Sequence, residues 1–280
     1  KEQYKNVFAL ISETDNIFTM YYDLGKETTG YINASCGGTN PTQEDIVVSL
    51  VEDQSLIDHY NTANYDVDKA RYVRPLPKSK YDIDSYRLTI PAGEISGKAS
   101  IRVRPDGLSP DSTYMVALRV DSHSAYEVNP DKNYVLYNVK IENYWADGDG
   151  ASYTMKSKIT EGGATIEVPG TVAMAPLGET KVRIMAGNET YEQDIAVFNK
   201  GAIVLDIDTI TGKVTISPYK TITVHQIDVD PDYPNNFRIE DDGYNTYKTF
   251  LLYYDYTAGN TTCVVKEELR LEFDEDEESE

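Results

Sequence analysis

Between Tyr81 and Ser122 the chain holds three short β-type runs separated by turn residues, two of them alternating apolar and polar residues at period two. Successive strand side chains point to opposite faces, so this pattern restricts the segment to half-buried β-strands. Tyr86-Arg87-Leu88-Thr89-Ile90 is one run, stopped by Pro91-Ala92-Gly93. Ala99 to Arg104 is a second, with Ala99, Ile101 and Val103 on one face and Ser100, Arg102 and Arg104 on the other. Pro105-Asp106-Gly107 ends it, because proline cannot extend a ladder and glycine accepts positive φ. Thr113 to Val120 is the third, and its nearly continuous apolar character predicts burial on both faces. Short strands separated by Gly/Pro turns are the pattern of a β-sandwich.

The flanking sequence extends this unit. Asn6–Ser12, Asn16–Leu24, Thr28–Ser35 and Asp45–Val51 read as strands, with Phe18, Met20, Tyr22 and Leu24 sharing one face. Asp53 then caps a short helix carrying Leu56, Ile57 and Tyr60 on one side, a crossover between two sheets. Asn61 to Tyr81 is polar and turn-rich and reads as a long loop. Asn133 to Ile141 closes the domain, with Val135, Tyr137, Val139 and Ile141 facing the core.

The composition breaks at Trp145-Ala146-Asp147-Gly148-Asp149-Gly150, which places the first domain at 1–143 and a second at 144–272. In the second, Ser152–Thr160, Ala164–Val168, Lys181–Ala186, Glu189–Val197, Ile203–Asp208 and Lys213–Ile216 read as strands. Ile222–Val229, Thr249–Tyr256 and Thr262–Leu271 follow. Hairpin turns such as Glu161-Gly162-Gly163 join them, which predicts an up-and-down barrel or a second sandwich. Phe250, Leu252, Tyr254 and Tyr256 fall on one face and would line a barrel interior. Residues 273–280 are almost all acidic, and self-repulsion predicts a solvated, disordered tail.

Several of these segments together resemble the N-terminal domain of a family of Bacteroides cell-surface lipoproteins. The similar features are the strand ending Ile90-Pro91-Ala92-Gly93, the run from Gly107 to Val120 and the loop Ser124-Ala125-Tyr126-Glu127-Val128-Asn129. Upstream, Leu56-Ile57-Asp58-His59-Tyr60-Asn61 matches the family's short helix and Leu76-Pro77 its connecting loop. The resemblance covers residues 5–143, and a weaker one in the second domain rests on Phe250 to Tyr256. It implies an all-β chain with an immunoglobulin-like sandwich followed by a lipocalin-like barrel or second sandwich. It also implies a lipid anchor on a removed N-terminal segment, a place at the outer-membrane surface, and a role in glycan uptake beside a transporter complex.

Charge excludes other partners. The chain carries 26 basic and 47 acidic residues, a net charge of −21, which opposes binding to nucleic-acid phosphates and to anionic lipid. No apolar run reaches the ~20 residues of a membrane helix. The chain opens on Lys1-Glu2-Gln3-Tyr4 with no export segment, and reads as a mature exported form. Cys36 and Cys263 fall in different domains and read as two separate buried thiols, an interdomain disulfide being the other reading. No G-x-S-x-G, H-E-x-x-H, C-x-x-C or phosphate-binding glycine loop occurs, and Asp206-Ile207-Asp208 lacks the remaining carboxylates of a chitinase-like run. We therefore expect no catalytic centre.

Two kinds of binding chemistry remain. Asp228, Asp230 and Asp232 alternate like the first oxygen ligands of an EF-hand loop and make calcium the one cofactor to consider. Pro231, Pro234 and the missing loop glycine and distal glutamate depart from that motif, so a different cage or plain turn residues are the readings left. The 23 tyrosines, against 6 phenylalanines and 1 tryptophan, suit half-buried sheet and equally suit stacking on sugar rings. Trp145 and Tyr144 at the composition break, and Tyr21 and Tyr253 as the outward members of adjacent pairs, are the candidate glycan-binding residues. The function expected is non-catalytic binding of oligosaccharide or polysaccharide at the cell surface, with a structural or adhesive module as the alternative.

Overall fold

The structure, a computed structural model, describes residues 4–277. It is nearly all β and divides into two compact units. One holds the chain up to Leu108 together with Ser112–Ile141; the other holds Ser109–Asp111 and everything from Glu142 onward. Among the described residues no helix is long and apolar enough to cross a membrane. Cys36 and Cys263 are both buried free thiols.

In the first unit the order is β1 (Val7–Leu10), β2 (Ile17–Asp23), β3 (Thr28–Gly37), β4 (Ile46–Glu52), α1 (Gln54–Tyr65), β5 (Arg74–Pro75) and β6 (Tyr81–Asp82). β7 (Arg87–Ile90), β8 (Ser96–Val103), β9 (Tyr114–His123), β10 (Glu127–Val128) and β11 (Tyr134–Glu142) complete it. Strands β10-β1-β3-β8-β6 form one sheet and β2-β11-β9-β4-β7 the other, with β5 alongside β9. The sandwich core is filled by the alternating sets the strands turn inward: Phe8 and Leu10, Ile32 and Ala34, and Ala99, Ile101 and Val103 from one sheet. Tyr22, Val48, Leu88, Val116, Leu118 and the Val135 to Ile141 row meet them from the other. The opposite face of β9 and β11 is buried too, since Met115, Ala117 and Leu136 pack under Ile57 of α1.

Asp53 starts α1 by accepting the Ser55 N–H at 3.0 Å, which satisfies one of the helix's orphan donors. The helix runs on to Tyr65, into the stretch whose polarity reads as loop. The reason is a tertiary bond: Asn61 is buried, donates to the Val73 carbonyl at 2.9 Å and accepts the Val73 N–H at 2.7 Å.

Two tyrosines from neighbouring strands of one sheet point together into the sandwich core. The hydroxyls of Tyr22 on β2 and Tyr137 on β11 lie 2.6 Å apart in the core. Burial raises both phenols above their ordinary value, Tyr22 the more strongly, so each stays protonated and hydrogen-bonded. They fit because β3 presents Gly30 to them. A Cβ there would stand 2.2 Å from one hydroxyl and 2.3 Å from the other.

The second unit contains β12 (Ala151–Glu161), β13 (Ala164–Gly178), β14 (Lys181–Met185), α2 (Ile195–Gly201), β15 (Ala202–Ile207), β16 (Val214–Pro218) and β17 (Thr223–Gln226). β18 (Asn236–Asp241), β19 (Thr246–Ala258) and β20 (Thr261–Phe273) end it. One sheet runs β16-β15-β14-β13-β12-β20-β19-β17, with β18 also on β19, and curls into a nearly closed barrel. Its end strands are joined by a side chain. Gln226 on β17 accepts the Ile216 N–H at 2.8 Å and donates to the Val214 carbonyl at 3.0 Å, taking the place of a neighbouring strand for β16.

Four features of this unit differ from the sequence reading. Glu189–Val197 is a loop up to Asp194 and the first turn of α2 beyond it, because Asp194 caps the helix through the Ala196 N–H at 2.8 Å and Phe198 buries against Met185 and Ala202. β18 goes unread in the sequence because Arg238, Glu240 and Asp241 mask its strand character. β13 continues past Pro169, where only β12 is its neighbour; β14 pairs from Ala175 onward, so the missing N–H breaks no ladder on the open side. At the C-terminus, Phe273 pairs with Thr246 rather than opening a disordered tail, and Glu275–Glu277 form an exposed turn. The last three residues of the predicted tail, 278–280, lie outside the described residues.

The barrel interior holds the apolar row predicted from β19, with Phe250, Leu252, Tyr254 and Tyr256 all buried. It also holds a carboxyl. Glu267 sits between Val265 and Leu269 on the inward face of β20 and is fully buried. Tyr254 donates its hydroxyl hydrogen to Glu267 Oε1 at 2.7 Å while accepting the Gly187 N–H at 2.8 Å. Glu267 Oε2 has no partner among the described residues. Burial pushes this carboxyl up to about 7, with the Tyr254 hydrogen bond pulling the other way.

Two measurements follow from these cores. Gly30→Ala should destabilise the first unit by roughly 1–3 kcal/mol, the usual cost of overpacking. Its penalty should shrink when Tyr22→Phe and Tyr137→Phe remove the hydroxyls, a cycle read by denaturant unfolding. For Glu267 the folded-state value lies above the ordinary 4.5 of a glutamate. The folded form therefore binds a proton more tightly than the unfolded one. Its contribution is present at low pH, falls by roughly 1.4 kcal/mol per pH unit between the two values and is lost above the higher one. Glu267→Gln should match the natural protein at pH 5 and exceed it in stability at pH 8.

Candidate functional site

The residues singled out in the sequence do not form one site. Trp145 is only 3 % exposed. Its ring meets Tyr144 edge-on at 5.5 Å and Phe237 at 5.7 Å, and Phe237 in turn packs on Phe250 at 5.0 Å. Asn143 holds this corner, accepting the Trp145 and Ala146 N–H groups and donating to the Gly178 and Lys181 carbonyls. Trp145 is thus a core plug whose faces no sugar can reach, which corrects its reading as a binding ring. The only tryptophan is drawn inside because it is the largest apolar surface available to seal that end of the barrel.

The three tyrosines are exposed or half-buried, and each carries a lysine over its ring. Lys248 Nζ lies 4.0 Å from the Tyr144 centroid, Lys266 Nζ 4.7 Å from Tyr253 and Lys140 Nζ 6.0 Å from Tyr21. Tyr21 belongs to the first unit and the other two to the second. One face of each ring is already occupied by a cation.

The aspartates have partners of their own. Asp228 accepts from Gln226 and Asn235, both at 2.9 Å, which holds its carboxyl below the ordinary range. Asp230 accepts from Lys266 at 2.7 Å and from the Asp232 N–H at 2.9 Å, with the same result. No group of three or more His, Cys, Asp or Glu side chains among the described residues is placed to hold a metal. Alternation on a strand would have aimed the three carboxylates together; here they sit on an irregular turn, and Asp228 and Asp230 point to separate donors. The calcium reading is corrected accordingly. Tyr253 and Asp230 are brought together only through Lys266, in an ion pair stacked on a ring.

A pocket built from other residues lies in the second unit and encloses about 220 Å³. Its walls are Asp111, Asp149, Arg183, Tyr191, Gln193 and Phe198. Alanines 151, 173 and 175 with Met174 and Ile184 make its floor, and the small side chains leave the depth. Arg183 projects from β14 and is 4 % exposed; Asp111, in the segment counted with this unit, is 8 % exposed. They form a bidentate pair, Nη1 to Oδ2 at 2.6 Å and Nη2 to Oδ1 at 2.8 Å. The guanidinium also lies 3.9 Å from the Phe198 ring centroid and 5.1 Å from that of Tyr219. Burial disfavours the charge on Arg183, and the Asp111 bonds more than restore it, so its pKa rises above the ordinary value.

Tyr191 forms the outer wall. Its ring is 48 % exposed, packs on Phe198 at 5.6 Å and is steered by a 2.7 Å hydrogen bond from its hydroxyl to Gln193 Oε1. Asp149 comes from the turn in which Asp147 accepts its N–H at 2.9 Å. A half-exposed aromatic face beside fixed carboxylates and an amide can stack on a sugar and accept its hydroxyl hydrogens.

Sequence reasoning missed this site. Arg183 inside the apolar run Val182 to Ala186 is the one signal that could have marked it, since a buried guanidinium requires a buried acceptor. That the acceptor is Asp111, from another part of the chain, is a tertiary fact.

Residues 3–127 match a family model of an N-terminal domain, and residues 133–270 match a family model of a C-terminal domain. The chain is therefore built from this pair of described domains. No curated protein matches the sequence. Solved structures do. A multidomain protein including DUF1735 from Bacteroides ovatus is 13 % identical, covers 95 % of this chain and 94 % of its own, and superposes with a TM-score of 0.68. A protein of unknown function from the same organism is 15 % identical over 98 % of both chains, with a TM-score of 0.67. An auxiliary nutrient binding protein from Bacteroides thetaiotaomicron is 17 % identical, covers 92 % of this chain and 91 % of its own, with a TM-score of 0.64. At these identities the likeness is one of fold.

Replacing Arg183 with Met should destabilise the second unit by about 3–5 kcal/mol, because Asp111 is left buried and unpaired. Converting both, Arg183→Met with Asp111→Leu, should cost less than the single change, as measured by urea unfolding.

Proposed function

We propose that this protein is a non-catalytic accessory protein that holds oligosaccharide at the outer-membrane surface for a glycan-uptake system. The observation that carries the reading is the pocket lined by the Tyr191 ring and by the Arg183–Asp111 pair. Its volume lies below the ~300–1,000 Å³ of drug-sized sites, which suits one sugar ring of a longer chain. Arg183 and Asp111 are committed to one another, so they offer fixed polarity and no free acid or base, in keeping with binding without turnover. The similar fold of an auxiliary nutrient binding protein supports the same reading. A shallow site of this kind binds weakly by itself, and surface-anchored copies would gain avidity on a polymeric glycan. A lipid anchor and a transporter partner complete the proposal, by analogy with the surface lipoproteins the sequence resembles.

The second reading is a structural or adhesive module. It draws on the burial of Trp145 and on the lysines that cover Tyr21, Tyr144 and Tyr253. Calorimetric titration with plant and host oligosaccharides separates the two. Saturable binding that weakens roughly tenfold or more in Tyr191→Ala, with thermal unfolding unchanged, is the expected result. Binding that Tyr191→Ala leaves intact would place the ligand elsewhere, and no binding to any sugar would favour the adhesive module.

A further inference from the structure

The loop that carries Asp228, Asp230 and Asp232 shapes a second hollow on the same barrel. Asp230-Pro231-Asp232-Tyr233 is a turn, closed by the Tyr233 N–H on the Asp230 carbonyl at 3.1 Å, with proline where its fixed φ is favoured. Asp230 is pinned to β20 by the 2.7 Å ion pair with Lys266. The far end is pinned by Asn235, which is fully buried and accepts the Tyr253 N–H at 2.7 Å. Tyr233 is thereby held as one wall of a groove of about 400 Å³, within the ~300–1,000 Å³ of small-molecule sites. Lys156 and Lys158 on β12, Glu167 and Pro169 on β13 and Glu268 on β20 line the rest.

Lys156 stands opposite Glu268 and Lys158 opposite Glu167. Neither couple closes into an ion pair, and among the described residues no hydrogen bond engages these four side chains; Lys158 only adds to the field at Asp230. Exposed pairs gain little by closing, so two ammonium donors and two carboxylate acceptors stay open beside a tyrosine and a proline ring. Their charges balance. That set complements an uncharged sugar, whose hydroxyls both donate and accept and whose ring has an apolar face.

The groove and the Tyr191 pocket share one face of the β12–β13 hairpin. Tyr153, Met155, Val172 and Met174 fill the barrel core, so the residues alternating with them point outward. Ser152 and Ala173 of that outward set line the pocket, and Lys156 and Pro169 line the groove. Four residues separate them on each strand, roughly 13 Å at the rise of a β-strand. Between them stand Thr154 and Thr171, directly opposite one another and both exposed. We infer that a linear, uncharged oligosaccharide lies along this outer face, with one ring in the Tyr191 pocket and further rings reaching a second subsite in the Tyr233 groove. This rests on the sugar-binding reading above and deepens it.

The test is calorimetric titration of the full chain with neutral plant and host oligosaccharides, each as a length series from disaccharide to hexasaccharide. Affinity should climb by roughly tenfold or more along the series that binds, as the second subsite is reached. Tyr233→Ala should bring the hexasaccharide down to the level of the disaccharide, with thermal unfolding unchanged. Lys156→Ala combined with Glu167→Gln, which alters exposed side chains alone, should do the same and decides the question if Tyr233→Ala disturbs the fold. Affinity independent of length, or a gain with length that the Lys156→Ala, Glu167→Gln protein keeps in full, would overturn the inference while leaving the sugar-binding reading in place. A folded protein that binds no member of any series would overturn the reading itself.

Discussion

A curled sheet must do something with its two open edges, and in the second unit a side-chain amide closes the seam together with backbone bonds from Val214 to Asn235 and from Phe237 to Gly212. β16 and β17 are the ends of the sheet, and Gln226 bridges them by serving the Ile216 N–H and the Val214 carbonyl. Both groups would otherwise lie unpaired at the rim of a dry interior, where each costs on the order of 1–3 kcal/mol. With the seam closed, the inward rows of β12, β14, β15, β19 and β20 can face one another, and the barrel has a core. The wall strand β14 is then held in a fixed place, and it is from β14 that Arg183 reaches the pocket.

The first unit solves the equivalent problem differently. Its sheets are closed face to face, and the polar bodies inside are two tyrosines whose hydroxyls satisfy one another. The absence of a side chain at Gly30 makes room for them. Such a pair specifies the register of β2 against β11 more sharply than aliphatic packing does, because a slip of one residue would leave two buried hydroxyls without partners. Glu267 and Tyr254 repeat the theme in the barrel, with one carboxylate oxygen left over and a raised pKa as the consequence.

The pocket is a by-product of these closures that has acquired chemistry. Alanine at 151, 173 and 175 leaves a hollow, and Arg183 with Asp111 lines it with charges that cancel. The candidates chosen for their ring type alone went elsewhere. Trp145 became a plug, and Tyr21, Tyr144 and Tyr253 became platforms for lysine. Ring type says that a residue can stack; which face remains open depends on neighbours that come from other strands.

The sequence alone determined the elements whose evidence is local. The alternation in Ala99 to Arg104 and in Phe250 to Tyr256 named the buried faces, and Asp53 named the start of the helix, because period and capping are properties of neighbouring residues. Only the tertiary structure decided how the runs combine. β7, β8 and β9 follow one another along the chain with short turns between them, and β8 lies in one sheet and its two neighbours in the other. It also decided that Asp194 starts a helix where alternation suggested a strand, and that the masked run Asn236–Asp241 pairs with β19. The pocket belongs to the same class. Asp111 and Arg183 are 72 positions apart, and no local rule connects them, since what pairs two buried charges is the shared cost of leaving either one alone.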